Sequence, residues 1–167
     1  MSTERRAVGP EPLSEDAWAP FGWLPVVDTD PRDGEQTLSF AWGDPHVNII
    51  GHARAEVPST ERGLRCEMLF RHDTHTQSIM SLDVPAVIAV APASVDFSDP
   101  DDAGTIRVFR LEPLEALVLY QGTWHWGPFP VSAEWVRLFN VQGRRYAEDN
   151  ACVDLAAAGL AVDVVLA

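Results

Sequence analysis

The sequence predicts an all-β fold, a sandwich or closed barrel with one short helix near the N-terminus. Three observations carry that expectation. Apolar residues alternate with polar ones in short segments, turn-forming residues punctuate those segments densely, and no second long amphipathic helix interrupts them. At 167 residues, 46% of them hydrophobic, the chain is long enough for one domain with a sizeable core. Residues 1–11 are expected to be a loose polar segment and 12–167 a single domain.

The elements follow in order. Ser14 is a good N-cap, acids fill the next turn, and Pro20 and Gly22 stop the chain, so a short helix spans Ser14–Trp18. Strands are then expected at Trp23–Val27, Thr37–Trp42, Val47–Arg54, Gly63–His72 and Gln77–Ser81, followed by Ala86–Ala91, Thr105–Leu111, Ala116–Tyr120 and Trp135–Val141. Asp28–Gly34, Gly43–Pro45, Ser98–Gly104 and Gly127–Pro130 read as turns or loops. The apolar run Val153–Ala167 fits helix and strand equally.

Composition excludes several classes. The net charge is −13 and the only basic side chains besides His are arginines, scattered among 25 acids, so a nucleic-acid partner is not expected. Without lysine there is no Schiff-base chemistry. No stretch is long and apolar enough to span a membrane, and Met1–Arg6 leads into no apolar run, so a cytoplasmic protein without a leader is expected. Cys66 and Cys152 have no partners at zinc-site or disulfide-framework spacing and read as two buried, inert thiols. Nucleophile elbows, phosphate loops and dinucleotide fingerprints are absent.

Chemistry concentrates in two places. In Met68–Gln77 a strand runs into a polar turn, and alternation puts Met68, Phe70 and His72 on one face. Far along the chain, Gly122-Thr-Trp-His125 sets a second histidine just after a glycine turn. Two neutral imidazoles with an oxygen donor such as Gln77 make an open-sided metal site with room for a substrate. His46 and His52 read as ordinary core or rim histidines.

These residues resemble the cupin motifs: a strand ending in His72, an oxygen donor at Gln77, and Gly122-x-x-His125. With Pro12–Gly22, Met68-Leu-x-Arg71-His72, Val87–Pro92 and Gly122–His125 in register over about residues 12–142, the chain resembles the ureidoglycolate lyases. The resemblance implies a cupin-type β-barrel, a homodimer, and cleavage of ureidoglycolate to urea and glyoxylate. It also implies a divalent transition metal (Ni, Mn, Zn or Fe) on His72, Gln77 and His125. The family has Glu where this chain has Phe70, a His-Pro continuation where Trp126 and Gly127 intervene, and a basic residue where Gln121 stands. The family's Asn-x-Gly-Thr segment is replaced by Leu38–Trp42.

With Phe70 unable to move a proton, His75 and Tyr120 become the expected proton carriers, and His75 is a further candidate ligand. Gln77, Trp124, Trp126 and Phe70 are the expected substrate contacts. Glu67 is out of phase with His72 and should face away unless a bulge intervenes. A carboxylate-bearing substrate would draw on arginine, with Arg107, Arg110 and Arg137 on strands. Two other readings stay open: a cupin enzyme for a different small carboxylate compound, drier and more aromatic in its pocket, and a non-catalytic ligand-binding cupin.

Overall fold

The run Ala86–Ala91 dictates the layering. All six residues are buried. Ala86, Ile88 and Val90 enter one apolar cluster, while Val87, Ala89 and Ala91 enter another. A strand that is apolar on both faces needs cover on both, so its sheet is the middle layer.

The computed structural model describes residues 4–25, 36–42 and 45–166. Its strands are β1 (Glu4–Val8), β2 (Glu11–Pro12), β3 (Gly22–Trp23), β4 (Pro45–Ala53), β5 (Ser59–Thr60), β6 (Gly63–Cys66), β7 (Met68–Arg71) and β8 (Gln77–Ser81). They continue with β9 (Ala86–Ala91), β10 (Arg107–Leu111), β11 (Ala116–Leu119), β12 (Trp124–Pro130), β13 (Trp135–Gly143), β14 (Ala151–Asp154) and β15 (Leu160–Val165). The middle sheet has the order β14-β7-β12-β9-β10-β2; β3-β11-β8-β13-β4 covers one face and β1-β15-β6-β5 the other. The fold is all-β, as expected, and consistent with a cupin-like architecture. The described strands are hydrogen-bonded as three sheets rather than as one closed barrel.

Helix α1 (Glu15–Trp18) starts on Ser14, whose hydroxyl accepts the Ala17 N–H. Its one buried residue, Trp18, donates its indole N–H to the Val118 carbonyl at 3.0 Å and meets Phe109 edge-on. The chain then passes so close to β11 that a Cβ on Gly22 would lie 1.6 Å from the Val118 oxygen. Only glycine permits that approach.

Several expectations are corrected. Glu4–Val8, in the segment expected to be loose, pairs parallel with β15, because that edge of the outer sheet offers unpaired backbone groups. Thr37–Trp42 makes one bridge, Phe40 to His75, instead of a strand. The strand expected at Gly63–His72 is two strands in different sheets, parted at Glu67. Gly127–Pro130 continues β12 through a register shift between Trp126 and Phe129. The ambiguous C-terminal run supplies β15, which β6 and β1 flank. The strand expected at Trp23–Val27 ends at Trp23; Val26, Val27 and the Asp28–Gly34 turn lie outside the described residues. No helix among the described residues is long and apolar enough to cross a membrane.

Candidate active site

The site occupies one end of the space between the middle sheet and the β3-β11-β8-β13-β4 sheet; the other end is filled by Trp18, Phe21, Ile79, Ile88, Phe109 and Leu138. On β12, His125 stands opposite Val90 and Phe70 in the ladders, so all three point into this space. His72 follows at the end of β7, where its carbonyl accepts the Gly122 N–H at 2.7 Å. That bond ties the two histidine segments together. A positive φ of 78° at Gly122 makes the turn that starts β12.

The expected convergence of His72 and His125 is present: their ring centroids are 5.3 Å apart, and both are buried. The Nδ1 of His72 bonds the Asp149 backbone carbonyl, and the Nδ1 of His125 lies 3.3 Å from the Thr123 carbonyl. A carbonyl only accepts, so each Nδ1 carries a hydrogen, and in the neutral ring the lone pair lies on Nε2. Burial, with the neighbouring charge of His72, pushes His125 down to about 3. The ring is therefore neutral at neutral pH.

Gln77, from β8, is oriented by a side-chain ladder. Its amide donates to Asn140 Oδ1 at 2.8 Å and to Gln142 Oε1 at 3.3 Å, while Asn140 donates to Asn48 at 2.9 Å. Both amide hydrogens are thus engaged, and Gln77 Oε1 is buried without a hydrogen-bond partner. A buried acceptor in that state awaits a donor or a cation. Among the described residues no three His, Cys, Asp or Glu side chains are grouped as a metal site.

His72, Gln77, His125, Phe70 and Trp126 all line one cavity of about 460 Å³. His52, Gln142, Tyr146 and Asn150 complete its polar side. Among the described lining residues none is Arg, Lys, Asp or Glu. Arg107, Arg110 and Arg137 are engaged elsewhere, paired with Glu11, Glu112 and Asp83.

Other expected site residues fall outside. Tyr120 is exposed and packs against Trp23, with ring centroids 5.6 Å apart, because β11 ends before it. Trp124 alternates to the opposite face from His125 and packs in the other core, where its indole donates to Val95 and Arg71 lies over its ring. His75 borders a separate small cavity beside Phe40 and Gly143, and stacks on His72 with centroids 4.6 Å apart. It supports His72 and does not face the cavity. Burial and the charge of His72 push it down to about 4.

Two residues were not legible as site residues. Asp149 accepts the N–H groups of Asp73 and Thr74 at 2.9 and 2.8 Å and the Thr74 hydroxyl, which fixes the turn between His72 and His75. Burial alone would raise its pKa; the hydrogen bonds from Thr74 and Asp73 outweigh it and hold the carboxyl below its usual value. His52 lines the cavity and holds its Nδ1 3.1 Å from the Glu56 carboxylate, four residues on. The His-x-x-x-acid spacing was the available signal, but without the strand-to-turn geometry it looks ordinary.

The family model for ureidoglycolate lyase matches residues 32–162. The chain belongs to the ureidoglycolate lyase family. It is 31% identical to the ureidoglycolate lyase of Pseudomonas entomophila (strain L48) over 128 residues, 69% of this chain and 72% of that protein. The ureidoglycolate lyases of Pseudomonas putida (strain W619) and Pseudomonas fluorescens (strain Pf0-1) are each 30% identical over the same shares. The match to the family reaches β15 and starts after Pro12–Gly22, so that segment, counted toward the resemblance, lies outside it. All the cavity histidines of this ureidoglycolate lyase family member lie within the matched residues.

Proposed function

We propose that this chain cleaves the carbon–nitrogen bond of ureidoglycolate, giving glyoxylate and urea. The carrying observation is that the buried imidazoles of His72 and His125, each held through Nδ1 on a backbone carbonyl, line the same cavity as the unpartnered Gln77 oxygen. His72, Gln77 and His125 would hold a divalent transition metal, the donors being two imidazoles and an amide oxygen. When bound, such an ion supplies Lewis acidity that favours ionisation of the substrate hydroxyl.

The chain's own residues do the rest. Glu56 accepts from His52 Nδ1, which leaves His52 Nε2 as the base for the hydroxyl proton. As the carbonyl of glyoxylate forms, the carbon–nitrogen bond breaks and the same proton returns to the departing urea nitrogen. The Gln142 and Asn150 amides line the same cavity and offer hydrogen bonds to the departing urea. His52 thus replaces His75 and Tyr120 in the role expected from the sequence.

A second copy of the chain is the proposed partner. Val47, Ile49, Trp135 and Phe139 are exposed on the outer face of β4 and β13, where Phe139 stands opposite Ile49. Cys66 is buried as expected, but Cys152 is exposed on β14, an edge strand of the middle sheet, and not buried; both are free thiols, in keeping with a cytoplasmic setting.

The test is glyoxylate release from ureidoglycolate by the purified protein, with its metal content measured. Wild-type release that His72→Ala and His125→Ala both abolish, with metal lost, is expected. Metal-loaded wild-type protein that releases no glyoxylate overturns the proposal.

A further inference from the structure

Phe70 is the residue that the chemistry above leaves unused. It is half-buried, lines the cavity, and belongs to neither apolar core among the described residues. It stands directly opposite His125 across the β7–β12 ladder, so a ligand at His125 touches its ring. Ile50 adds apolar surface from β4, and Trp126 and Phe129 border the same cavity, with Phe129 5.0 Å from the His52 ring.

The cavity, at about 460 Å³, is of a size that usually accepts a drug-sized ligand. Ureidoglycolate has only about nine non-hydrogen atoms, all its arms polar, and would leave the Phe70 side filled by water. An aromatic ring in a cavity with no Arg, Lys, Asp or Glu among its described lining residues instead fits a substrate with an apolar arm.

We propose that the preferred substrate is an N-substituted ureidoglycolate, whose leaving group is an alkyl- or aryl-urea seated against Phe70. This rests on the lyase reading and names its substrate class. The reaction balances as before: the carbon–nitrogen bond breaks, the hydroxyl oxygen becomes the aldehyde of glyoxylate, and the hydroxyl proton passes to the nitrogen of the substituted urea. No oxidant or further reactant is needed.

The test compares kcat/KM for glyoxylate release from N-benzylureidoglycolate and from ureidoglycolate. Wild type is expected to favour the benzyl compound at least tenfold, on the order of a hydrophobic pocket's discrimination, and Phe70→Ser is expected to erase that preference. Calorimetric binding of N-benzylurea against urea reads the same contact without turnover, and Phe70→Leu serves if the serine variant fails to fold. Equal or better use of ureidoglycolate by wild type overturns the inference and leaves the lyase reading standing. Glyoxylate from neither substrate overturns the lyase reading, and the inference with it.

Discussion

Asp149→Ala is expected to lower both stability and metal affinity. The wild-type carboxylate accepts three hydrogen bonds, from the Asp73 and Thr74 N–H groups and the Thr74 hydroxyl. Hydrogen bonds to a charged group contribute about 1.5–3 kcal/mol each, and water replaces part of that at the half-exposed turn. A loss of about 2–4 kcal/mol follows. Asp149→Asn keeps one acceptor and should lose about half as much.

The same substitution releases the backbone. The Asp149 carbonyl holds the His72 Nδ1 hydrogen, and outer partners of this kind typically change metal affinity by about 10–100-fold. Urea unfolding measures the first effect through the midpoint at constant slope; calorimetric titration with Ni²⁺ or Mn²⁺ measures the second. The Asp149 carboxyl is held below its unfolded value, so its contribution is present above that value and disappears as the pH falls through the lowered one. The gap between wild type and Asp149→Asn should therefore close below about pH 4. An unchanged midpoint in Asp149→Ala would refute the anchoring argument. A lowered midpoint with unchanged metal affinity would refute the orienting one.

Further outcomes follow from the same geometry. His75 and His125 are pushed down to about 4 and about 3, so the unfolded chain binds more protons than the folded one as the pH falls below about 6.5. Metal-free protein should lose about 3 kcal/mol between pH 6.5 and 4 from His75 alone, with His125 adding a slope of similar size, so His75→Phe should about halve the pH dependence in urea-unfolding curves across the range. His52→Gln should lower kcat for glyoxylate release by about 10²–10⁴-fold with metal still bound; a normal kcat would remove His52 as the base. Phe139→Glu should convert a dimer to a monomer in light scattering, and an unchanged mass would place the interface elsewhere.

Local chemistry made part of this protein legible from its residues alone. The β8 and β9 strands, the Ser14 cap and the glycine turn before His125 depend on neighbours in sequence, through alternation, capping and φ preference. Motif spacing was likewise enough to pair His72 with His125 and to point at Gln77. Other features depend on contacts that no local pattern records. Glu4–Val8 is a strand only because β15 offers it an edge, and Leu160–Val165 became strand because β6 stood waiting for a partner. Trp124 and His125 are neighbours in sequence but point into different layers. Asp149 and His52 became site residues only when folding set one beside the His72 turn and the other across the cavity from β12. Asp149 meets its partners 75–77 positions away, while His52 meets Glu56 only four residues on and becomes a site residue because β4 turns it into the cavity; a single sequence records neither the distant contact nor that facing.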